Sequence, residues 1–338
     1  MNSSDPRATV VAANQPADRF YAGGAQIAEF RGQPSWQEYT PEDWIASVTP
    51  VFGEPALGKT VLPGGTTLAE AVAADPVAWL GAEHVEAFGA DTKLLVKLLD
   101  AGQRLPVHAH PDGAFAASRL GRAHGKTEAW IFLTAARVHL GFRRDISMSE
   151  LVGWVEEQDT SAMLAHMHLL EAAPGDAIIV PAGMAHAIGR GAFLVELQEP
   201  EDLSILMEWR GFAIDGAADG HLGIGFDQAL EAVDRKGWSV AEISALRTAT
   251  AASTAGLVEP LAAFFRAERH RAGATLDPGF SILVCTEGSG TLRPSCGASI
   301  EFRRGQSVLI PAASGACQLE AGPELEVLRC RPPKPTAA

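Results

Sequence analysis

The chain has 338 residues, enough for two domains of ordinary size with separate hydrophobic cores. Its 27 Lys and Arg against 41 Asp and Glu give a formal net charge of −14, so the surface repels phosphate backbones and anionic lipid, and we expect no nucleic-acid or membrane partner. No apolar run reaches the length of about 18 residues that a membrane helix needs. Residues 1–20 lack the layout of a secretory signal, so the cytoplasm is the expected compartment.

The first ninety or so residues indicate helix rather than strand. Residues 1–30 have no sustained periodicity and predict a loosely packed arm. Thr40-Pro-Glu-Asp43 predicts a helix start, with a hydroxyl N-cap, a proline in the first turn and acids facing the positive end of the helix dipole. A further helix is predicted from Thr67 to Ala74, ending at Asp75-Pro76.

From Lys93 onward, short β-like runs replace helix. LLVKLLD is a compact apolar run, LPVHAHP alternates, and WIFLTA and RVHLGF follow. Ser147-Met-Ser-Glu150 has the form of a capping box and predicts a helical excursion before the strands resume. Two apolar runs around a Pro174-Gly-Asp176 turn then predict a hairpin-like return to sheet.

The last part of the chain predicts a second β-rich unit. A helix is predicted over residues 226–233, and the small-residue stretch TATAASTAG (residues 248–256) is the expected linker. Gly175-Asp-Ala-Ile-Ile-Val-Pro181 is echoed by Gly305-Gln-Ser-Val-Leu-Ile-Pro311, which indicates a repeat. The first copy continues to His186, whereas the second offers no histidine, so the second unit is expected to keep the fold and bind no metal.

The four cysteines fall in the last fifth of the chain and have no CxxC spacing; they are Cys285, Cys296, Cys317 and Cys330. We expect buried free thiols of one β domain rather than a zinc knot or a disulfide framework.

One group of residues has the chemistry of a metal site. His108 and His110 are two apart in an alternating segment, so both rings project from one face of a strand. Glu128 begins one predicted strand, and His186 follows the turn that ends another. Three imidazoles and a carboxylate suit Zn²⁺, and Fe²⁺, Mn²⁺ or Co²⁺ also accept these ligands.

The spacing of these residues carries a family resemblance. Gly102-x5-His108-x-His110 resembles the first cupin motif, and Gly175-x5-Pro181-x-Gly183-x2-His186 resembles the second. A cupin glutamate usually comes about four residues after the second histidine, but here Gly125-Lys-Thr-Glu128 arrives eighteen residues after His110. This displacement, with LLVKLLDA before the histidines, looks like the type I mannose-6-phosphate isomerase family. The resemblance runs from about Thr40 through Trp209.

The resemblance implies a fold that is mainly β with helical insertions, built from two cupin (jelly-roll β-barrel) domains. Residues 1–30 are then the N-terminal arm, residues 31–235 the metal-binding catalytic cupin with its helical insertions, and residues 236–338 the second, metal-free cupin.

The resemblance also implies a zinc-dependent enzyme that interconverts an aldose and a ketose through a cis-enediol intermediate. Its substrate is a small sugar or sugar phosphate, mannose 6-phosphate or a relative. Lys126 matches the family's active-site lysine and is expected to stabilise the enediolate or assist proton transfer. Asp202 matches the family's aspartate and is expected to orient a basic group or His110.

Three positions depart from the family pattern. The family's first metal ligand is a glutamine, and here that position is His108. The serine that helps to hold the substrate phosphate is replaced by Pro106, and the family's arginine falls on Leu206. Arg210 stands an even number of residues further on and is expected to take that arginine's place on the same face of the strand. These changes predict an enzyme that depends less on a substrate phosphate.

Three functions therefore stay open at the level of sequence. The first is an isomerase acting on mannose 6-phosphate or on a related, non-phosphorylated sugar. The second is an Fe²⁺ cupin dioxygenase, which three histidines and one glutamate support chemically. The third is a non-catalytic sugar-binding cupin. The distant Glu128 argues against the dioxygenase, and the retention of Lys126 with all four ligands argues against a pure binding protein.

Overall fold

A computed structural model describes residues 6–249, 254, 256–321 and 324–335. It is mainly β-sheet with helical insertions, as the sequence predicts. The strands of the first half are, in chain order, β1 (Thr9–Val11), β2 (Glu42–Ile45), β3 (Leu95–Asp100), β4 (His108–Ala109), β5 (Glu128–Phe132), β6 (Ala136–Phe142), β7 (Met167–Ala172), β8 (Ala177–Val180), β9 (His186–Ile188), β10 (Phe193–Gln198) and β11 (Ile205–Leu206).

The later strands complete two sheet pairs. They are β12 (Arg247–Thr248), β13 (Arg266–Arg271), β14 (Thr275–Leu276), β15 (Ser281–Glu287), β16 (Ser289–Pro294), β17 (Ile300–Arg303), β18 (Ser307–Ile310), β19 (Cys317–Ala321) and β20 (Glu326–Arg331). The first unit pairs a sheet of order β12-β8-β5-β10-β3-β2 with one of order β11-β4-β9-β6-β7. The second pairs β1-β18-β15-β20-β13 with β14-β19-β16-β17.

Helices connect and cover these sheets. They are α1 (Ala25–Arg31), α2 (Leu68–Ala74), α3 (Pro76–Leu80), α4 (Ala82–Phe88), α5 (Gly113–Phe115, continued by a π turn over Ala116–Leu120), α6 (Met148–Glu157), α7 (Thr160–His166), α8 (Gly216–Asp219), α9 (Phe226–Ala229, continued by a 3-10 turn over Leu230–Ala232) and α10 (Val240–Ala245). Short 3-10 turns cover Glu259–Leu261 and Ala312–Ser314. Within the described ranges no helix combines the length and apolar character needed to cross a membrane.

The predicted helix starts at Thr67 and Ser147 are confirmed. Each hydroxyl accepts a hydrogen bond from the backbone amide of the glutamate three residues later, and that glutamate bonds back to the cap, which opens α2 and α6. The predicted helix over residues 226–233 is confirmed as α9 and its 3-10 continuation. The turn at residues 174–176 separates β7 from β8, as predicted.

The helix start predicted at Thr40 is wrong, because Glu42–Ile45 is strand β2 and pairs with β3. The acids do not face a helix dipole. Glu42 is buried and accepts hydrogen bonds from the hydroxyl of Tyr21 and the indole of Trp44, both at 2.7 Å. Pairing with β3 and the buried contacts of Glu42 therefore determine the conformation of residues 42–45, and they override the local capping signal.

The expectation of a loosely packed N-terminal arm is wrong over residues 6–30. Strand β1 joins the second unit by pairing with β18. Tyr21, Ile27 and Phe30 are buried, and Arg31 at the end of α1 forms an ion pair with buried Asp43. The segment therefore crosses from the second unit to the first and packs against both.

The change between units comes later than the predicted boundary at residue 235. Ile243 of α10 packs in the core of the first unit, and β12 pairs with β8 of its larger sheet. Most of the expected linker, residues 250–253 and 255, lies outside the described residues. Of the four cysteines, Cys285, Cys317 and Cys330 are buried free thiols as predicted, whereas Cys296 is exposed.

The two units repeat one plan. If β8 is matched with β18, then β5, β10 and β3 match β15, β20 and β13 in the same sheet order. The smaller sheets agree as well, because β4-β9-β6-β7 has the order of β14-β19-β16-β17. The echoed segments at residues 175–181 and 305–311 form β8 and β18, so the sequence repeat reflects a structural one.

Helix α1 is held against the second unit at Gly305, which generates a stability prediction. A Cβ at Gly305 would overlap the carbonyl oxygen of Phe30, whereas at Gly273, with the same φ of +84°, it would meet nothing within 4 Å. We expect Gly273→Ala to lower the free energy of unfolding by about 1 kcal/mol through backbone strain. Gly305→Ala should cost roughly 2 kcal/mol more through the overlap.

Urea unfolding of the two variants measures the difference. The backbone strain is the same in the two variants. An equal decrease in the free energy of unfolding of both would therefore contradict a tight contact between α1 and Gly305.

Candidate metal centre

The four predicted ligands meet at one point between the two sheets of the first unit. His108 on β4 is paired directly with His186 on β9, and Glu128 begins β5. His110 follows β4. A nitrogen of each of the three histidines lies within 4.8 Å of the others. All four residues are buried, and the side chain of Glu128 reaches two of the rings, at 3.2 Å from His110 Nε2 and 3.3 Å from His186 Nε2.

Backbone carbonyls fix the orientation of each ring. The Nδ1 atoms of His108, His110 and His186 lie 2.8, 2.6 and 2.8 Å from the carbonyl oxygens of Pro106, Leu203 and Met184. A carbonyl oxygen only accepts, so each Nδ1 carries the proton and donates it. Each Nε2 is left with a lone pair that points into the cluster, the tautomer that a metal ligand needs.

The cluster fits a divalent metal ion. Nε2 of His110, Nε2 of His186 and Oε2 of Glu128 are buried with no hydrogen-bond partner. Lone pairs that face a carboxylate at 3.2–3.3 Å repel one another unless a cation lies between them. Nitrogen donors with one carboxylate suit zinc and its neighbours among the transition metals.

The electrostatics keep these ligands deprotonated. Burial, followed by repulsion from His186 and His110, holds the pKa of His108 well below its usual range. Burial, reinforced by Lys126, lowers the pKa of His110 to about 3. Burial alone would raise the pKa of Glu128, but His110 and Lys126 outweigh it and the pKa falls. At neutral pH the rings are therefore neutral and the carboxylate charged, which is the state that binds a metal.

Lys126 lies beside the ligands and is only 5% exposed, so it is not a solvated residue at a strand entrance. Its Nζ is 3.4 Å from Oε2 of Glu128, and its backbone amide donates to the carbonyl of Pro111. Gly125 allows this approach, because a Cβ there would lie 2.6 Å from the backbone of Asp112. The glycine of the Gly-Lys-Thr-Glu segment therefore positions the lysine.

Asp202 lies next to the cluster and binds a guanidinium that the sequence analysis missed. Both of its carboxylate oxygens accept from Arg19 at 3.3 Å, and it also accepts from the amide of Phe52. Burial would raise the pKa of Asp202, but Arg19 and Lys97 outweigh it and the pKa falls. The carboxylate thus contacts a basic group, and its role at the site stays a prediction.

Two further titratable residues, Lys97 and Glu196, are buried near these groups. Lys97 is almost fully buried, with its Nζ 3.6 Å from Glu42 and 3.4 Å from Glu196. These carboxylates raise its pKa against the opposite effect of burial, so Lys97 is charged. Burial and the nearby Glu128 raise the pKa of Glu196 to about 7.

Sequence reasoning passed over Lys97, Arg19 and Glu42 for different reasons. Lys97 stands within the apolar run LLVKLLD, and a charged residue in a buried strand was the signal that could have marked it. Arg19 belongs to the segment predicted to be a loose arm, and Glu42 to the mistaken helix start. Neither has a local signal, because their partners lie far away in sequence.

The structure does not bring Arg210 to the cluster, so its expected role at the site is a wrong prediction. The argument assumed an extended strand through residue 210, but β11 ends at Leu206. The Arg210 side chain is exposed and donates to the carbonyl of Glu157, while its backbone amide donates to Gln158. Both partners lie at the end of α6. Leu206 itself is buried opposite His108.

Comparisons with known proteins agree with the family motifs. No family model matches the chain. It is 33% identical over 190 residues to a mannose-6-phosphate isomerase from Streptococcus mutans, covering 53% of this chain and 54% of the relative. It is 29% identical over 189 residues to a mannose-6-phosphate isomerase from Bacillus subtilis, with 53% and 54% covered. The chain thus spans about half the length of the curated relatives it matches, and the resemblance to the mannose-6-phosphate isomerase family is confirmed.

Solved structures extend the likeness of the fold to the whole chain. A mannose 6-phosphate isomerase from Bacillus subtilis has a TM-score of 0.67 at 21% identity, covering 96% of this chain and 99% of that one. A mutant phosphomannose isomerase from Salmonella typhimurium gives 0.72 at 16%, covering 97% and 100%. A mannose 6-phosphate isomerase bound with zinc and yttrium gives 0.70 at 15%, covering 96% and 99%. At these identities the likeness concerns the fold alone.

The ligand geometry predicts metal binding at this cluster. We expect about one divalent ion per chain in the parent protein, and a nearly complete loss in His186→Ala, because removing one of four ligands leaves the ion under-coordinated. Elemental analysis after dialysis measures both.

The matched control is His168→Ala. His168 is a buried histidine on β7 whose Nε2 contacts the carbonyl of Trp238, away from the ligands. Its removal should leave the metal content unchanged. Unchanged metal in His186→Ala would remove His186 from the site.

Proposed function

We propose that this chain is a divalent-metal-dependent aldose–ketose isomerase, interconverting mannose 6-phosphate and fructose 6-phosphate or a related sugar pair through a cis-enediol intermediate. The observation that carries the proposal is the meeting of three neutral imidazoles, one carboxylate and the buried Lys126. The names of the curated relatives support the reaction class.

Each of the two units is proposed to be a cupin, a jelly-roll β-barrel with its own interior. The shared strand order and the repeated segment that forms β8 and β18 support this assignment. Only the first unit has histidines at cupin spacing, so the second is proposed to be free of metal.

Zinc is the proposed metal, with Fe²⁺, Mn²⁺ and Co²⁺ chemically acceptable at the same donors. His108, His110, Glu128 and His186 would hold it. A bound divalent ion supplies a Lewis acid that polarises hydroxyl and carbonyl oxygens of the sugar. The zinc in a solved isomerase of the same fold supports this choice.

Lys126 is proposed to act on the charge that develops during isomerisation. A proton leaves C2 of the aldose and returns to C1 of the ketose, and the oxygens of the enediol intermediate carry negative charge between these steps. The ammonium of Lys126 lies 3.4 Å from Oε2 of Glu128, at the edge of the ligand cluster. A fixed positive charge in this buried position stabilises the developing oxyanion without reorganisation.

Arg19 and Asp202 are proposed to form the far wall of the substrate chamber. Asp202 holds the guanidinium of Arg19 from one side, and Glu42 lies 3.6 Å from its Nε on the other. Two carboxylates fix the side chain, which then offers a rigid donor for sugar hydroxyls. Arg19 would act as a positioning residue for the substrate.

A second candidate is the isomerisation of a non-phosphorylated sugar. Pro106 has no side-chain donor, and its carbonyl is engaged with His108. Leu206 is an apolar residue where the resembled family has an arginine, and Arg210 points to α6. These observations favour an enzyme that gains little from a substrate phosphate.

The dioxygenase and the non-catalytic sugar-binding protein receive less support. A protein that only binds a sugar does not need a buried lysine beside the ligand cluster. The desolvation of that lysine would be unfavourable and no catalytic role would offset it. The curated relatives also carry the isomerase name and no oxygenase name.

The role of Lys126 is tested by Lys126→Met. We expect turnover to fall by about two orders of magnitude or more, the scale of losing one charge-stabilising group, while metal content stays that of the parent. The measurement is an aldose–ketose assay with elemental analysis on the same sample. Lys236→Met, which removes an exposed lysine paired with Glu242, is the matched control and should retain full turnover. Near-normal activity of Lys126→Met with bound metal would refute the role.

The sugar is tested by kcat/KM for mannose and for mannose 6-phosphate. We expect the phosphate to improve kcat/KM by less than about tenfold, on the order of 1.4 kcal/mol, because neither Leu206 nor Arg210 offers it a bidentate guanidinium contact. A preference of a thousandfold or more would contradict the expectation. Repeating the comparison in Arg19→Lys would then show whether Arg19 provides the contact.

A further inference from the structure

The second unit has a polar chamber where the first has its metal centre. Matching β10 with β20 and β3 with β13 aligns the pair Glu196–Lys97 with the pair Arg329–Glu268, whose members also lie opposite one another. The second unit therefore keeps a cross-strand ion pair at this position with its charges exchanged between the strands.

Next along the strands, the second unit places two arginines directly opposite each other. Arg266 on β13 pairs with Arg331 on β20, where the first unit has Leu95 opposite Gln198. Like charges directly across a sheet are destabilising. Such a pair needs compensation from nearby anions or from a ligand.

The carboxylates of the chamber compensate only part of this charge. Asp277 accepts from Arg329 at 2.6 Å and from Arg331 at 2.7 and 2.8 Å. Glu268 lies 3.4 Å from Arg331 and 3.6 Å from Arg329. Two carboxylates thus face three guanidinium groups, and both are turned towards Arg329 and Arg331.

Arg266 is the third guanidinium, towards which neither carboxylate is turned. Its Nε donates to the carbonyl of Pro332 at 2.8 Å, and its two terminal nitrogens have no hydrogen-bond partner among the described residues. Nε of Arg331 is buried and also lacks one. Burial, with repulsion from Arg331, lowers the pKa of Arg266 to about 10, which agrees with an excess of positive charge here.

These nitrogens line a cavity of about 530 Å³. Arg266, Arg331 and Lys334 contribute cations to its wall, Asp277 and Glu83 contribute carboxylates, and the turn between α3 and α4 at Gly81 also lines it. The cavity is large enough for a small metabolite and lies between a helical insertion of the first unit and the sheet of the second.

We propose that this cavity binds an oxyanion, the phosphate or carboxylate group of a small metabolite, between Arg266 and Arg331. The fork of a guanidinium matches the geometry of either group, and the anion relieves the repulsion between the facing arginines. The site is separate from the ligand cluster of the first unit and does not depend on its activity.

Isothermal titration of the full-length, metal-loaded chain with inorganic phosphate, at constant ionic strength in chloride, tests the proposal. We expect saturable binding in the parent protein and about tenfold weaker binding in Arg266→Gln. Titration with acetate distinguishes the carboxylate from the phosphate. Arg293→Gln, which removes an exposed arginine paired with Glu320, is the matched control and should bind phosphate like the parent.

A thermal measurement separates binding from any loss of folding. In chloride, Arg266→Gln should melt at or above the temperature of the parent, because a repelling charge is gone. Added phosphate should raise the melting temperature of the parent, and at the same phosphate concentration it should raise that of Arg266→Gln by clearly less. Three outcomes would overturn the proposal: no saturable binding of either anion by the parent, equal binding by Arg266→Gln, or binding that Lys126→Met alone abolishes, since the anion would then occupy the metal centre.

Discussion

Four candidate ligand side chains directed at one buried point are the constraint around which the first unit is built. Buried polar atoms without partners cost roughly 1–3 kcal/mol each, so this arrangement is unfavourable without a cation. The backbone carbonyls of Pro106, Met184 and Leu203 hold the imidazoles in place, and these carbonyls belong to segments whose position is fixed by strand pairing. The paired strands therefore provide the rigidity that preforms the site.

Around this point the protein arranges charges so that each is paired. Three buried cations, Arg19, Lys97 and Lys126, are distributed among four carboxylates, Glu42, Glu128, Glu196 and Asp202. A buried charge is tolerated only when such partners exist. Glu196, with a pKa raised to about 7, is only partly ionised at neutral pH, so the side-chain charges come close to balance and a divalent ion leaves a positive excess. Such an excess of positive charge would stabilise the anionic intermediate of the proposed reaction.

The sequence was informative where function depends on local spacing. His108 and His110 share a face because side chains alternate along a strand, and the capping boxes at Thr67 and Ser147 involve atoms only three residues apart. It was uninformative where partners are distant. The sequence around Glu42 predicts a helix start, and only the contacts of Glu42 with Tyr21 and Lys97 in the folded protein explain why it lies in a strand. Arg19 is identified as a site residue only by its contact with Asp202, 183 residues later.

The pairing of strands also explains how two units of similar fold can bind ions of opposite charge at corresponding positions. Glu128 begins β5 opposite Val180, and Ser281 begins β15 opposite Ile310, so the second unit has a short hydroxyl where the first has a metal ligand. Ser281 accepts a hydrogen bond from Arg329, which fills space that a metal centre would need. Once arginines occupy this end of the paired sheets, a cation is repelled and an anion is attracted. The same backbone frame thus supports a cation site or an anion site, and a few side chains at the ends of the strands determine which.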